Sequence, residues 1–463
     1  MFPAQVYRQR REDLRRRMDT GLILFLGNTD SPVNFADNLY PFRQDSCFLY
    51  YWGIDRPDLA ALIDVDAEEE ILFGDGLDPA AQVWTGPQPP LAERAGGAGV
   101  KTVRLLTDLA RNVRKAKAAG RPIHILPPYR ASQRLILARL LDLPPETIHR
   151  QISEPLLAII IAQRSVKTAA EIAEIEAALA VTREMHLAAM AAARPGRYEY
   201  EIAALLQERC YAGGALQLAF APILTVSGEI LHNPHHHQVM AAGQLVLNDS
   251  GAASPRHYAS DITRTFPVSG RFTTRQQEIY GIVLDAQTRA VEMARPGVAF
   301  RDLHLAAVER LAAGLVDLGL MRGDSAEIVA KGAHALFMPH GLGHMLGLDV
   351  HDMENLGEDR VGYTADAPRS TQFGLSALRL GRELAEGFVV TVEPGLYFSP
   401  ALIAQWRAEG RFTEHLRYDR LDGYLAFGGV RIEDDLLVTG AGARVLGPPI
   451  PKTIPEVEAA CTQ

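Results

Sequence analysis

Cysteine is scarce in this 463-residue chain: Cys47, Cys210 and Cys461 are the only three. Their odd number and wide spacing exclude a disulfide framework and a Cys-x-x-Cys metal site. Few thiols fit a reducing compartment, and the cytoplasm is the simple expectation. Long apolar runs are missing as well. No stretch approaches the ~18 residues needed to cross a bilayer, so no membrane partner is expected. A basic excess is also absent. Lys+Arg number 47 against 56 Asp+Glu, a formal net charge of −9, which argues against a dedicated nucleic-acid binder. What is there is ordinary globular composition, 47% hydrophobic and 22% charged, which excludes a wholly disordered chain. The length suggests two or three domains at ~150 residues each.

Residues 8–17 (RQRREDLRRR) form an arginine-rich run followed by Gly21-Leu-Ile-Leu-Phe-Leu. The apolar stretch is short for a signal-peptide core and no small-residue cleavage site follows it. The expectation is a basic surface helix with a solvated face, running into a buried strand. Leu22–Leu26, Ala60–Val65 and Glu70–Phe73 read as strands, and the Pro/Gly/Ala-rich residues 86–99 as a loop. These segments predict an α/β domain over residues 1–160. Near residue 165 the texture changes to long helical patterns, which opens a second region. In it, a helix, Arg-Pro-Gly, a second helix and a terminating Gly occur twice, around Arg194-Pro195-Gly196 and Arg295-Pro296-Gly297. Strands follow each copy, which hints at an internal duplication.

Four strand-like segments of the second half carry a carboxylate at or near an end. They are Leu245-Val-Leu-Asn-Asp249, His257-Tyr-Ala-Ser-Asp261, Phe388-Val-Val-Thr-Val-Glu393 and Gly429-Val-Arg-Ile-Glu433. Alternation puts Arg431 and Glu433 on the face opposite Val430 and Ile432. An acid at the end of a buried strand is costly unless it is paired or bound to a cation. Between these segments lies His340-Gly-Leu-Gly-His344, with His351 beyond. Its two glycines disfavour a helix, so it is not a zincin-type helical pair. Taken as one site, four carboxylates and one or two histidines suit two divalent first-row metals. Four negative charges balance two dications, and hydrolysis is the chemistry that follows.

In order and local context, Asp249, Asp261, His344, Glu393 and Glu433 resemble the five metal ligands of the pita-bread metallopeptidases. Tyr258-Ala-Ser-Asp-Ile-Thr-Arg-Thr-Phe-Pro, Leu348-Asp-Val-His-Asp, Thr391-Val-Glu-Pro-Gly-Leu-Tyr and Val430-Arg-Ile-Glu-Asp-Asp are similar to the proline-specific branch, aminopeptidase P and prolidase. Tyr40-Pro-Phe-Arg-Gln-Asp-Ser and Trp52-Gly-Ile-Asp-Arg-Pro resemble its N-terminal domain. The resemblance covers nearly the whole chain. It implies an α/β N-terminal domain over 1–160, an α+β pita-bread catalytic domain over 165–463 and two divalent ions, manganese first with cobalt or zinc as alternatives. It also implies proline-containing peptide substrates and a homo-oligomer, dimer or tetramer. Asp249 and Asp261 are implied to hold one metal, with Asp261 shared; His344 and Glu393 the other; Glu433 bridges. Glu393 is also the implied general base. His232 and His351 match substrate-side histidines, His351 suited to assist the oxyanion or the leaving prolyl nitrogen, and His340 lines the pocket. Two departures stand out. Eleven residues separate Asp249 from Asp261 where the family commonly has ten, which a β-bulge or a longer hairpin can absorb. The segment before His232 is also short.

Substrate length turns on arginine, the natural bidentate partner of a free carboxylate. Arg379, fourteen residues before Glu393, looks like the prolidase segment that does this, and Arg360 matches an arginine of both branches. The expectation leans to Xaa-Pro dipeptides, with aminopeptidase P activity on longer peptides as the alternative. A metal-free creatinase-like hydrolase and a non-catalytic pita-bread binding module are the remote alternatives. His235-His236-His237 reads as a loop near the cavity mouth. Trp84 reads either as domain packing or as a residue this branch brings to the site of a neighbouring subunit.

Overall fold

The computed structural model describes residues 1–76, 80 and 82–462, and the chain divides into two compact units, Met1–Gln163 and Arg164–Gln463. The first unit is built on a five-stranded mixed sheet. Its order is Thr102–Arg104, Glu69–Phe73, Ala60–Asp64, Leu22–Leu26, Ile123–His124. The central strands are antiparallel with Ile23 opposite Ile63, and both edge strands pair parallel. Leu24, Leu62, Ile71 and Phe73 of one sheet face pack against Leu109, Val113 and Leu137 of the covering helices. Burying such side chains stabilises by about 1.5–3 kcal/mol each.

Three expectations for this unit need correction. Residues 86–99 are not all loop: Leu91–Gly97 is a helix, because Leu-Ala-Glu-Arg-Ala are good helix formers behind Pro90. Trp84, on the short helix Gln82–Thr85, is 88% exposed and so does not pack within its domain. The arginine run forms the helix Ala4–Arg16 but is not simply solvated. Arg11 is fully buried and donates to Glu70 (2.8 Å), the Tyr51 carbonyl (2.7 Å) and the Ala98 carbonyl (3.0 Å). Arg10 lies over the Tyr50 ring at 3.8 Å. Replacing Arg11 by Met strips two backbone carbonyls and the half-buried Glu70 carboxylate of a charged donor. A loss of about 2–4 kcal/mol is expected, read as a lower urea midpoint for the first unit's transition.

The second unit shows the duplication in its backbone. The helix Ala169–Ala192 opens on a Thr168–Glu171 capping box, and Thr274–Met293 opens on a Thr273–Gln276 box. The residues that cap their C-termini, Ala193 and Ala294, share φ −66° with ψ 117° and 118°. After Arg-Pro, Gly196 (φ +90°) and Gly297 (φ +81°) take the left-handed turn that only glycine adopts without strain. The partner helices Glu199–Ala212 and Phe300–Asp317 follow. Each pair leads to a three-stranded antiparallel sheet. One orders Ile262–Pro267, Leu245–Ser250, Ile223–Thr225; the other orders Val389–Val392, Asp434–Thr439, Gly442–Val445. One hydrophobic core joins the four helices and the first of these sheets, from Met185 and Ile202 through Val246, Val283 and Leu311 to Val430 and Ile432.

Candidate active site

Asp249, Asp261, His344, Glu393 and Glu433 line one cavity of about 480 Å³ in the second unit. Asp249 sits opposite Thr263 in the antiparallel pair of Leu245–Ser250 with Ile262–Pro267, and Asp261 immediately precedes the second strand. The extra residue between these acids causes no bulge. Pairing runs in step from Asp249–Thr263 to Ala253–Ala259 and the Ser254–Tyr258 hydrogen bond. The residue is absorbed in the three-residue turn, where His257 adopts φ +67°. Glu393 closes the strand Val389–Val392, because Pro394 cannot donate to a ladder. Arg431 and Glu433 face the cavity while Val430 and Ile432 enter the core. His340–His344 runs extended beside Val389–Val392: the amide of Thr391 donates to the His344 carbonyl and Met345 bridges Val390. A side chain at Gly343 would collide with the Thr391 carbonyl, so glycine is required by that close approach.

Ligand-type atoms of Asp261, His344 and Glu433 lie within 4.8 Å of one another, close enough to share a cation. His344 Nε2 is 3.4 Å from Asp261 and 3.8 Å from Glu393. Its Nδ1 is 3.0 Å from the Met345 carbonyl, which assigns the proton to Nδ1 and leaves the Nε2 lone pair for a metal. Asp249 Oδ1 and Asp261 Oδ1 are buried without hydrogen-bond partners, a costly arrangement for anions that a bound cation removes. The donor set of carboxylates and one imidazole therefore fits divalent metal.

One charge that sequence reasoning assigned no role compensates the cluster. Arg431 donates to Asp249 (2.6 Å), Thr263 Oγ1 (3.1 Å) and Tyr397 Oη (2.9 Å). Tyr397 Oη is in turn 2.8 Å from His340 Nε2, so Arg431, Tyr397 and His340 form one chain. Burial, reinforced by Arg431, pushes His340 down to about 3, keeping it neutral. The signal for Arg431 was its strand register with Glu433. His351 stacks on His344 with ring centroids 4.0 Å apart, and its Nδ1 lies 3.1 Å from Glu354 Oε2. Glu354, three residues on, was missed by sequence reasoning. Burial lowers the basicity of both His351 and His232.

His232, His236, His340, His351 and Arg379 also line the cavity. His236 is held by the Leu224 carbonyl (3.0 Å), and His235 and His237 stack on each other, 6.0 Å apart. Arg360 is not brought in: it is exposed on the helix Glu358–Gly362 and does not line the cavity. Five residues form one helical turn and a little more, and alternate helix positions cannot all face inward; Val361 and Gly362 take the buried side.

Burial first, then repulsion from neighbouring acids, holds Asp261 and Glu433 well above the usual carboxylate range in the metal-free protein. An acid raised on folding contributes stability below its unfolded pKa and loses it as pH rises through the folded value. Chelated wild type should therefore lose stability relative to chelated Glu433→Gln as pH rises above the ordinary carboxylate range of about 4–5. Urea melts of both proteins over that rise in pH check this; a constant gap contradicts it.

Fold and site together define a metal-dependent hydrolase of the peptidase class. The chain belongs to metallopeptidase family M24, whose profile matches residues 173–440, and residues 7–124 match the aminopeptidase P N-terminal domain. A probable Xaa-Pro aminopeptidase of Paracoccidioides brasiliensis strain Pb18 is 30% identical over 475 residues, spanning 100% of this chain and 97% of the relative. One from Aspergillus clavatus is 32% identical over 473 residues, spanning 99% and 97%. Among solved structures, Pseudomonas aeruginosa aminopeptidase PepP superposes with TM-score 0.80 at 29% identity, over 99% of this chain and 98% of that one. A zinc-substituted Escherichia coli aminopeptidase P in complex with product gives TM-score 0.81 at 29% identity over the same shares.

Proposed function

We propose that this chain is a two-metal exopeptidase that hydrolyses the Xaa-Pro bond and acts as an aminopeptidase on peptides extending beyond proline. The observation that carries this is the meeting of Asp249, Asp261, His344, Glu393 and Glu433 in one cavity. The names of the relatives favour the aminopeptidase alternative over the dipeptidase lean. Asp249 and Asp261 would hold one cation, His344 and Glu393 the other, with Asp261 and Glu433 shared. With all four carboxylates ionised at −4 and Arg431 and Arg379 at +2, the charged lining sums to −2 before metal and +2 with two dications. A residual positive charge suits an anionic transition state. When bound, the cations polarise the scissile carbonyl and make water nucleophilic at neutral pH; manganese is the first candidate, with cobalt or zinc next.

The chain's own residues do the rest. Burial raises the Glu393 carboxyl despite the opposing pull of His344 and Arg431, which suits a proton acceptor. His351, its Nδ1 held by Glu354, presents Nε2 to pass a proton to the prolyl nitrogen or to brace the oxyanion. His232 would stand on the substrate side, and His340, fixed by Tyr397 and the Gly341 carbonyl, shapes the wall. Function as a homo-oligomer belongs to the same reading. The dipeptidase reading retains one supporting observation, Arg379 in the cavity wall. A comparison of kcat/KM for Xaa-Pro dipeptides and Xaa-Pro-Xaa peptides in manganese tests the choice. Faster tripeptides support the aminopeptidase, faster dipeptides the alternative, and no cleavage before proline rejects both.

A further inference from the structure

Arg379 reaches the cavity already flanked by acids. Its Nη1 donates to Glu354 Oε2 at 2.8 Å and to Glu358 Oε2 at 2.9 Å. Arg379 lines the cavity, whereas Glu354 and Glu358 do not, so the acids stand behind it. Glu358 also pairs with Arg369, and Arg369 with Asp359 at 2.6 Å. Arg379 and Arg369 thus face three carboxylates, Glu354, Glu358 and Asp359, and His351 Nδ1 also lies on Glu354. Among the described residues, Nε and Nη2 of Arg379 make no hydrogen bond and remain available as donors.

This arrangement separates two substrate classes. In a free Xaa-Pro acid the group after the proline ring is a carboxylate; in a longer peptide it is a neutral amide carbonyl. The carboxylate gains little from a guanidinium whose charge is cancelled, and it is repelled by the acids behind it. The carbonyl needs only an N–H donor, which Nε and Nη2 supply. We propose that Glu354 and Glu358 convert Arg379 from an anion site into a hydrogen-bond donor for the carbonyl after proline, and so select peptides that continue past proline against free Xaa-Pro acids. Glu354 and Glu358 are positioning residues in this account, acting through Arg379. The inference rests on the cavity being an Xaa-Pro exopeptidase site.

The probes are an Xaa-Pro acid and the matching Xaa-Pro amide, which differ only in that charge. Each is measured as a substrate and as a competitive inhibitor of Xaa-Pro-Xaa hydrolysis by the metal-loaded full chain. Wild type should favour the amide by about tenfold, the scale of one charge-assisted hydrogen bond. Glu358→Gln, which does not touch His351, should shrink that ratio at least about threefold, since half of the Arg379 compensation is gone. In wild type itself, raising salt to about 1 M should narrow the ratio in the same direction by screening these partly exposed charges, a measurement that needs no variant to fold. A wild-type preference for the acid overturns the proposal. So does a ratio that neither Glu358→Gln nor salt moves. Failure to cleave before proline in acid, amide and tripeptide alike rejects the exopeptidase reading instead, which separates the two failures.

Discussion

Glu433→Ala should remove nearly all activity and at least half of the bound metal. Glu433 is 1% exposed, and one of its oxygens accepts from Thr263 at 2.7 Å. It is also one of the three residues whose ligand atoms converge, with Asp261 and His344. Losing an outer partner of a ligand typically costs 10–100-fold in metal affinity, and loss of a shared ligand should exceed about 100-fold. The gain in melting temperature on adding metal should shrink with it, since metal binding is folding free energy. Metal content by mass spectrometry, with melts in chelator and in metal, checks both. Wild-type metal content with full activity contradicts the assignment.

His351→Ala should lower turnover by about 10²–10⁴-fold, the range for general acid or oxyanion assistance, while metal content stays near wild type. His344→Ala should instead lose metal and activity together. The two rings stack at 4.0 Å, so removing one could loosen the other. His351→Phe keeps a flat ring against His344 but cannot move a proton. If His351→Phe matches His351→Ala in turnover and both retain metal, His351 acts on the transition state. Equal loss of metal and turnover in both makes it a support for His344.

Much of the site is written in short-range sequence. Alternation fixes which of Val430, Arg431, Ile432 and Glu433 face inward, and Pro394 fixes where the Glu393 strand stops. Gly341 and Gly343 disfavour a helix, and both are needed where the chain passes close to a neighbour, Leu378 at Gly341 and Thr391 at Gly343. The repeat is legible because two Arg-Pro-Gly stops, each between two helical patterns, are local signals; the matching Thr-led capping boxes emerge only in the structure. What sequence could not yield is pairing between distant side chains. Arg11 sits in an arginine run that reads as a solvated face, yet partners on residues 51, 70 and 98 bury it. Arg379 and Arg360 read alike as carboxylate binders. Only the folded segment shows Arg360 outside the cavity and Arg379 in its wall, tied to Glu354 and Glu358.

The central claim is that bound metal at this cavity cleaves the bond before proline. Stepwise metal addition to the chelated full chain, with bound metal per chain and the products of an Xaa-Pro-Xaa peptide followed together, tests it most directly. The account predicts an inactive starting protein, release of the free N-terminal residue as the first product, and activity that reaches its plateau at about two metals per chain. Hydrolysis by the metal-free protein, or an intact peptide at saturating manganese, cobalt and zinc, would contradict it.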